Sequence, residues 1–152
     1  MDETGDEPRA YPRRPWVGVG VVVWRGDEVL LVRRARPPRL GEWAIPGGAQ
    51  ALGETVFETA IREVLEETGL VVRPTGIVTT IDSIVLDPEG RVQFHYTLVE
   101  VSAEFASGEA RPASDVTDLR WVAPEQVADF VEWSETIRVI AEAQRLRSGL
   151  TQ

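Results

Sequence analysis

Apolar residues along the chain group into short runs separated by turn-forming clusters, with two stretches of helical period. Trp16 to Trp24 is β-branched and apolar and predicts a buried strand. Arg25-Gly26-Asp27-Glu28 then turns into Val29 to Arg34, a second strand, and the pair reads as a hairpin. Arg36 to Gly41 carries two prolines and must be a loop. Trp43-Ala44-Ile45 is a short extended piece that stops at a second loop, Pro46-Gly47-Gly48.

The clearest helix follows. Thr55 with Glu58 makes a capping box, in which each side chain bonds the other residue's backbone N–H. Phe57, Ala60, Ile61, Val64 and Thr68 fall on one face at helical spacing, and Gly69 supplies a left-handed stop. Strands are expected at Leu70 to Arg73, Gly76 to Leu86, Arg91 to Val101 and Leu119 to Val122, with a turn at Asp87-Pro88-Glu89-Gly90. Ser102 to Thr117 is expected to be a long loop. A closing helix capped by Ser134 runs to about Arg147, with Ile137, Ile140 and Ala141 inward. Strands, a helix, more strands and a final helix predict an α/β (α+β) layered sandwich with a mixed sheet. Residues 1–14 lack periodicity and read as a flexible leader, leaving residues 15–148 as one domain.

Composition narrows the chemistry. With 16 basic against 25 acidic residues the chain carries −9, which disfavours nucleic acid or a membrane surface as a partner. Cysteine is absent, so thiolate chemistry and disulfides are excluded. Every basic residue except His95 is an arginine, which removes lysine nucleophiles, and a lone histidine cannot make a two-histidine metal site. No apolar run near Met1 resembles a signal peptide, and Val19 to Trp24 is too short to cross a bilayer, so a cytoplasmic protein is expected. Catalysis must rest on carboxylates, hydroxyls, backbone and a bound ion.

The first helix offers the carboxylates. At 100° per residue Glu63 and Glu67 project within about 40° of each other, and Glu66 flanks them. Three acids on one stripe near a helix C-terminus repel each other and oppose the helix dipole. The bland account is a solvated acidic face; a hard divalent cation such as Mg²⁺ or Mn²⁺ would relieve both penalties.

The wider pattern favours the ion. Gly48, Glu54, Arg62, Glu63, Val64, Glu66, Glu67, Gly69 and Leu70 fill every fixed position of G-x5-E-x7-R-E-U-x-E-E-x-G-U, where U is aliphatic. The chain therefore resembles the Nudix hydrolase family. That resemblance implies a Nudix-type α/β/α sandwich and metal-dependent hydrolysis of the pyrophosphate in a nucleoside diphosphate linked to another moiety, of the ADP-ribose or nucleotide-sugar type. The alternatives are a house-cleaning nucleoside triphosphate pyrophosphohydrolase and a nucleotide sensor that does not cleave. By motif position, Glu63, Glu67 and Glu66 look like metal ligands, the Gly47 carbonyl a backbone ligand, and Arg62 the residue that orients the acids with Glu54. A structural ion pair explains Arg62 and Glu54 equally well. Candidates for the general base are Glu66, Glu104, Glu109 and Asp115, of which Asp115, just ahead of the last strand, is the preferred loop residue; a turn cap with Ser114 is its plain alternative. The chain departs from many family members at Ala51, where they carry an acid in the glycine loop, which bears on loop geometry and metal number. Dimers are common in the family, which leaves a homodimer open.

For the rest of the substrate, Arg34 ends a strand beside the glycine loop and suits a phosphate clamp, and Arg36 and Arg39 flank the Pro-Pro loop. Arg33 points to the opposite face and should be exposed. Phe94 and Tyr96 share a face opposite His95; Tyr96 is the candidate to stack on a base, although packing accounts for these aromatics and for Trp43, Trp121 and Trp133 as well.

Overall fold

The computed structural model describes residues 7–150. The strands are β1 (Trp16–Arg25), β2 (Glu28–Arg34), β3 (Trp43–Ala44), β4 (Gly47–Ala49), β5 (Val71–Leu86), β6 (Val92–Ser107) and β7 (Val116–Val122). Two helices, α1 (Val56–Thr68) and α2 (Ser134–Leu150), complete it, with a 3-10 turn at Pro124–Asp129. The strands form one sheet of order β3-β2-β1-β6-β5, with β4 also on β1 and β7 also on β2. Among these pairs β1 and β6 run parallel and the others antiparallel, so the sheet is mixed as expected.

Period-two alternation in β1 divides the core. Val19, Val21 and Val23 pack with Ala60, Val64, Leu70 and Val101 under α1. Val22 and Trp24 pack with Val139, Ile140 and Ala143 under α2. A strand covered on both faces reads as an unbroken apolar run, which is why Val19 to Trp24 shows little polar alternation. A helix lies on each side, giving the α/β/α sandwich.

Several elements differ from expectation. The β1–β2 hairpin pairs only at Trp24 with Val29 and Arg25 with Glu28, because the rest of β1 is claimed by β4 and β6. Gly47 and Gly48 belong to β4, where Gly20 faces Gly47 and Val19 faces Gly48. The stretch from Leu70 to Leu86 is one bulged strand from Val71. β6 continues to Ser107, so most of the expected long loop is strand and only residues 108–115 connect to β7. The inward face of α1 comprises Thr59, Ala60, Val64, Glu67 and Thr68, while Phe57 and Ile61 are exposed. Hydrophobicity alone misplaced that face, since Glu67 is held inside by the glycine loop. Ala141 of α2 is exposed, and Thr136, Val139, Ile140 and Ala143 face inward. The amides of Thr136 and Ile137 bond the Trp133 carbonyl, so Trp133 takes the place expected of Ser134 at the start of α2.

Residues 7–14 are held to the body rather than free. The Tyr11 hydroxyl donates to Asp87 at 2.8 Å, the Tyr11 amide to the Gln93 carbonyl at 2.7 Å, and the Trp16 indole to the Pro8 carbonyl at 3.2 Å. Residues 1–6 of the expected leader lie outside the described residues. No helix among the described residues is long and apolar enough to cross a membrane.

Candidate active site

The site is built where α1 meets β4. Thr55 and Glu58 form the reciprocal cap, with bonds of 3.1 and 2.9 Å, and Gly69 closes the helix in the left-handed region at φ 76°. Such a cap contributes about 1 kcal/mol and sets where each carboxylate emerges.

Arg62 is the hub. Its Nε and Nη2 grip both oxygens of Glu54 at 2.5 and 2.9 Å, and its Nη1 reaches Glu63 at 2.9 Å and Glu66 at 3.1 Å. Nη2 also donates to the Ala49 carbonyl at 3.1 Å, tying helix to glycine strand. Glu54 further accepts from the Ala51 amide and the Thr59 hydroxyl. The Arg62 fork, above all, holds the Glu54 carboxyl down at about 2. Gly48 permits the contact between strand and helix. A Cβ there would lie 2.3 to 2.5 Å from the carboxyl atoms of Glu63.

Glu67 is 6% exposed and accepts from the Gly47 amide at 3.1 Å. Burial, with repulsion from Glu63 and Asp115, pushes its carboxyl up to about 8 against the Gly47 bond and Arg34. Burial also raises Glu63, with Glu66 and Asp115 adding repulsion and Arg62 opposing. Glu66 is half-exposed on the outer flank of Arg62. Among the described residues no three acids or imidazoles meet at one point. The donor set is one buried and one partly buried carboxylate that repel each other, beside a glycine backbone. It fits Mg²⁺, which keeps several waters and takes one or two carboxylates together with substrate phosphate.

Glu67 opens into a cleft whose other walls include Arg34, Arg36, Arg39, Tyr96 and Asp115. Arg34 donates from Nε to the Pro38 carbonyl at 2.8 Å, which leaves its terminal nitrogens for the cleft, and burial lowers its pKa. Arg39 lies over the Trp133 ring at 4.0 Å. Arg33 is exposed, as expected, and bonds the Gly41 carbonyl. Asp115 pairs with Arg36 at 2.9 Å, and its carbonyl holds the Ala35 amide. The turn before it closes through the Val116 amide on the Ala113 carbonyl, with Ser114 at φ 56°.

Two of the loop acids are elsewhere. Glu104 is on β6 and is gripped by Arg147 Nε and Nη2 at 2.7 and 3.0 Å, in a separate open groove between β5 and α2. Glu109 is exposed and does not line the cleft. The sequence pattern places both in a Ser102–Thr117 loop; strand β6, which runs to Ser107, removes Glu104 from it.

Comparison with known proteins gives the family and the fold. A NUDIX domain model matches residues 14–142. The chain belongs to the Nudix hydrolase family. An ADP-ribose pyrophosphatase of Methanocaldococcus jannaschii is 32% identical over 106 residues, which is 69% of this chain and 63% of that protein. A putative 8-oxo-dGTP diphosphatase 2 of Mycobacterium tuberculosis is 36% identical over 136 residues, covering 88% of this chain and 90% of the other. Among solved structures, a MutT NUDIX hydrolase from Burkholderia pseudomallei superposes with a TM-score of 0.71 at 27% identity, over 86% of this chain and 98% of that one.

One residue of this Nudix cleft escaped the sequence reading. Glu100 sits in the middle of β6, 3% exposed, and lines the cleft together with Ser83, Leu98 and Thr136. Its signal was present in Tyr96 to Val101, where a single acid interrupts a strand that is otherwise apolar or neutral.

Proposed function

We propose that this Nudix protein hydrolyses the pyrophosphate bond of a nucleoside diphosphate linked to another moiety, ADP-ribose being the leading candidate. The observation that carries the reading is buried Glu67, held by the Gly47 amide, across one cleft from Arg34, with partly buried Glu63 one turn away on α1 in the grip of Arg62. Glu63 and Glu67 would hold Mg²⁺ with the Gly47 carbonyl, and Glu66 lies close enough through Arg62 to serve as a further ligand or base. When bound, the ion would supply charge neutralisation at the diphosphate and would lower the pKa of water. Arg34 grips phosphate oxygens with a fork of donors, and Arg39 adds a second cation nearby. Arg62 fixes the acids in place. Asp115, beside Arg36 at the same end of the cleft, is the candidate base from outside the helix.

A second reading has its own support. The Mycobacterium relative that matches along nearly its full length is named for 8-oxo-dGTP, so a triphosphate pyrophosphohydrolase is the alternative. A panel of ADP-ribose, nucleotide sugars and (deoxy)nucleoside triphosphates with Mg²⁺ separates them. Phosphate released only after phosphatase treatment indicates diphosphate cleavage, and direct release of pyrophosphate indicates the triphosphatase. Tight binding of nucleotide with no turnover on the whole panel would refute hydrolysis and leave a sensor.

A further inference from the structure

Glu100 plays no part in the reaction outlined above, yet it is kept at a cost. Its Oε1 is, among the described residues, the buried side-chain oxygen without a hydrogen-bond partner. Burying such an acceptor unpaired is unfavourable, and native structures do it rarely. The chain makes room for it. Gly20 lies directly across the β1–β6 ladder, and a Cβ there would stand 2.0 Å from Oε1. Gly18 is cleared in the same way for Leu98 and Tyr96. The space above the two glycines is filled from β6 and Ile45, by the Glu100 carboxyl and Ile45 over Gly20 and by Leu98 and Tyr96 over Gly18, and these side chains form this wall of the cleft.

This end of the cleft lies on the α2 face of the sheet, with Thr136 and Trp133, whereas Glu63 and Val64 belong to the α1 face. The cleft thus joins an acid-and-arginine end to an end lined by Ile45, Leu98, Tyr96 and Trp133 that holds one carboxyl. A nucleotide has the same two-part character, phosphates at one end and a planar base at the other. An apolar slot accepts any base face; an oxygen in need of a donor selects among base edges.

We infer that Glu100 is a specificity residue that reads the nucleobase, its Oε1 accepting a hydrogen bond from an exocyclic amino group. The inference rests on the cleft being the nucleotide site proposed above. An oxygen of the carboxyl accepts in either protonation state, so the contact survives titration of the group. Adenine and guanine both carry such an amino group, and the experiment tells them apart.

The test compares each base with an analogue that lacks the amino group on the same ring: purine for adenine, hypoxanthine for guanine. kcat and KM are measured with Mg²⁺ for the wild-type chain, Glu100→Gln and Glu100→Leu. The same pairs are titrated as nucleoside diphosphates by calorimetry, so the answer does not depend on turnover. In the wild type the amino-bearing member of one pair should be favoured by about 10- to 100-fold, chiefly in KM and Kd. Glu100→Leu should erase that ratio with little change in kcat, and Glu100→Gln, whose carbonyl still accepts, should keep part of it. Loss of the ratio in the adenine pair alone identifies adenine, in the guanine pair alone guanine; either supports the inference. An equal ratio in wild type and Glu100→Leu, or no preference in the wild type, overturns it. Failure here with Glu67→Gln still inactive leaves the hydrolase reading standing, whereas full activity of Glu67→Gln removes that reading instead.

Discussion

Replacing Glu100 by glutamine should stabilise the protein, and only above a defined pH. Burial pushes the Glu100 carboxyl up to about 7 from an ordinary value of 4.5, offset in part by the Gly20 amide. The charged side chains that share its cleft, Arg9, Arg34, Arg36, Arg39, Glu67 and Asp115, are not among the causes of the shift. A carboxyl whose folded pKa is raised penalises folding once the unfolded chain has ionised. Below about pH 4.5 both states hold the proton and the penalty vanishes. It grows between about 4.5 and 7, and it is complete above 7. The separation of those two values is worth about 3 kcal/mol. For a domain of this length that corresponds to a Tm difference of roughly 6–12 °C. Melts followed by circular dichroism without divalent ions, at pH 4, 6 and 8, give the comparison. Wild type and Glu100→Gln should melt within a degree or two of each other at pH 4, and the variant should be clearly ahead at pH 8. Glu67 also carries a raised pKa, but it is common to both proteins and cancels in the difference. A gap that stays the same at all three pH values would show that Glu100 is not a buried ionising acid, and the reasoning from desolvation would fail.

Glu67→Gln should cut turnover by several powers of ten and, because burial raises that carboxyl to about 8, should raise the metal-free melt clearly at neutral pH and leave it unchanged near pH 4; near-normal activity would remove α1 from the chemistry. Arg62→Ala should cost about 2 kcal/mol in urea denaturation, because it breaks the fork to Glu54 and the tie to Ala49. The Glu54 carboxyl, held at about 2 by that fork, adds stability above about pH 4.5 that fades toward pH 2, so the acid limb of the wild-type curve should flatten in this variant. Gly48→Ala should lower kcat by roughly tenfold or more while the fold persists, since the new methyl meets only the movable end of Glu63. Arg34→Ala should raise KM for a diphosphate substrate, and Arg33→Ala, whose side chain is exposed on the other face, should leave kinetics near wild type.

Local features were readable without coordinates. The Thr55–Glu58 cap, the Gly69 stop and the spacing of Arg62, Glu63, Glu66 and Glu67 are set by bonds within a turn or two of helix, so a linear pattern contains them. The layered α/β class was likewise legible, because the order of strand and helix periods restricts the architectures that bury both faces of β1. The inner face of α1 was not. Phe57 and Ile61 are more apolar than Glu67, yet Glu67 is the buried one because a backbone amide of β4 reaches it. The sequence pattern ends β6 at Val101 because Ser102 to Ser107 lacks a strong apolar run, whereas pairing with β5 as far as Val71 extends it to Ser107.

The amino-acid sequence by itself determined which chain segment carries the acids, how that segment is capped, and to which family it belongs. All of that depends on residues close together in the chain, where spacing becomes geometry directly. Only the tertiary structure decided which acids share a cleft, that Glu104 is spent on Arg147, and that Glu100 packs against Gly20 in the wall of that cleft. Those outcomes come from strands and helices far apart in sequence meeting across the β1–β6 ladder and the β4–α1 seam. Burial and electrostatic environment are sums over such neighbours, and a residue's own position in the chain does not contain them.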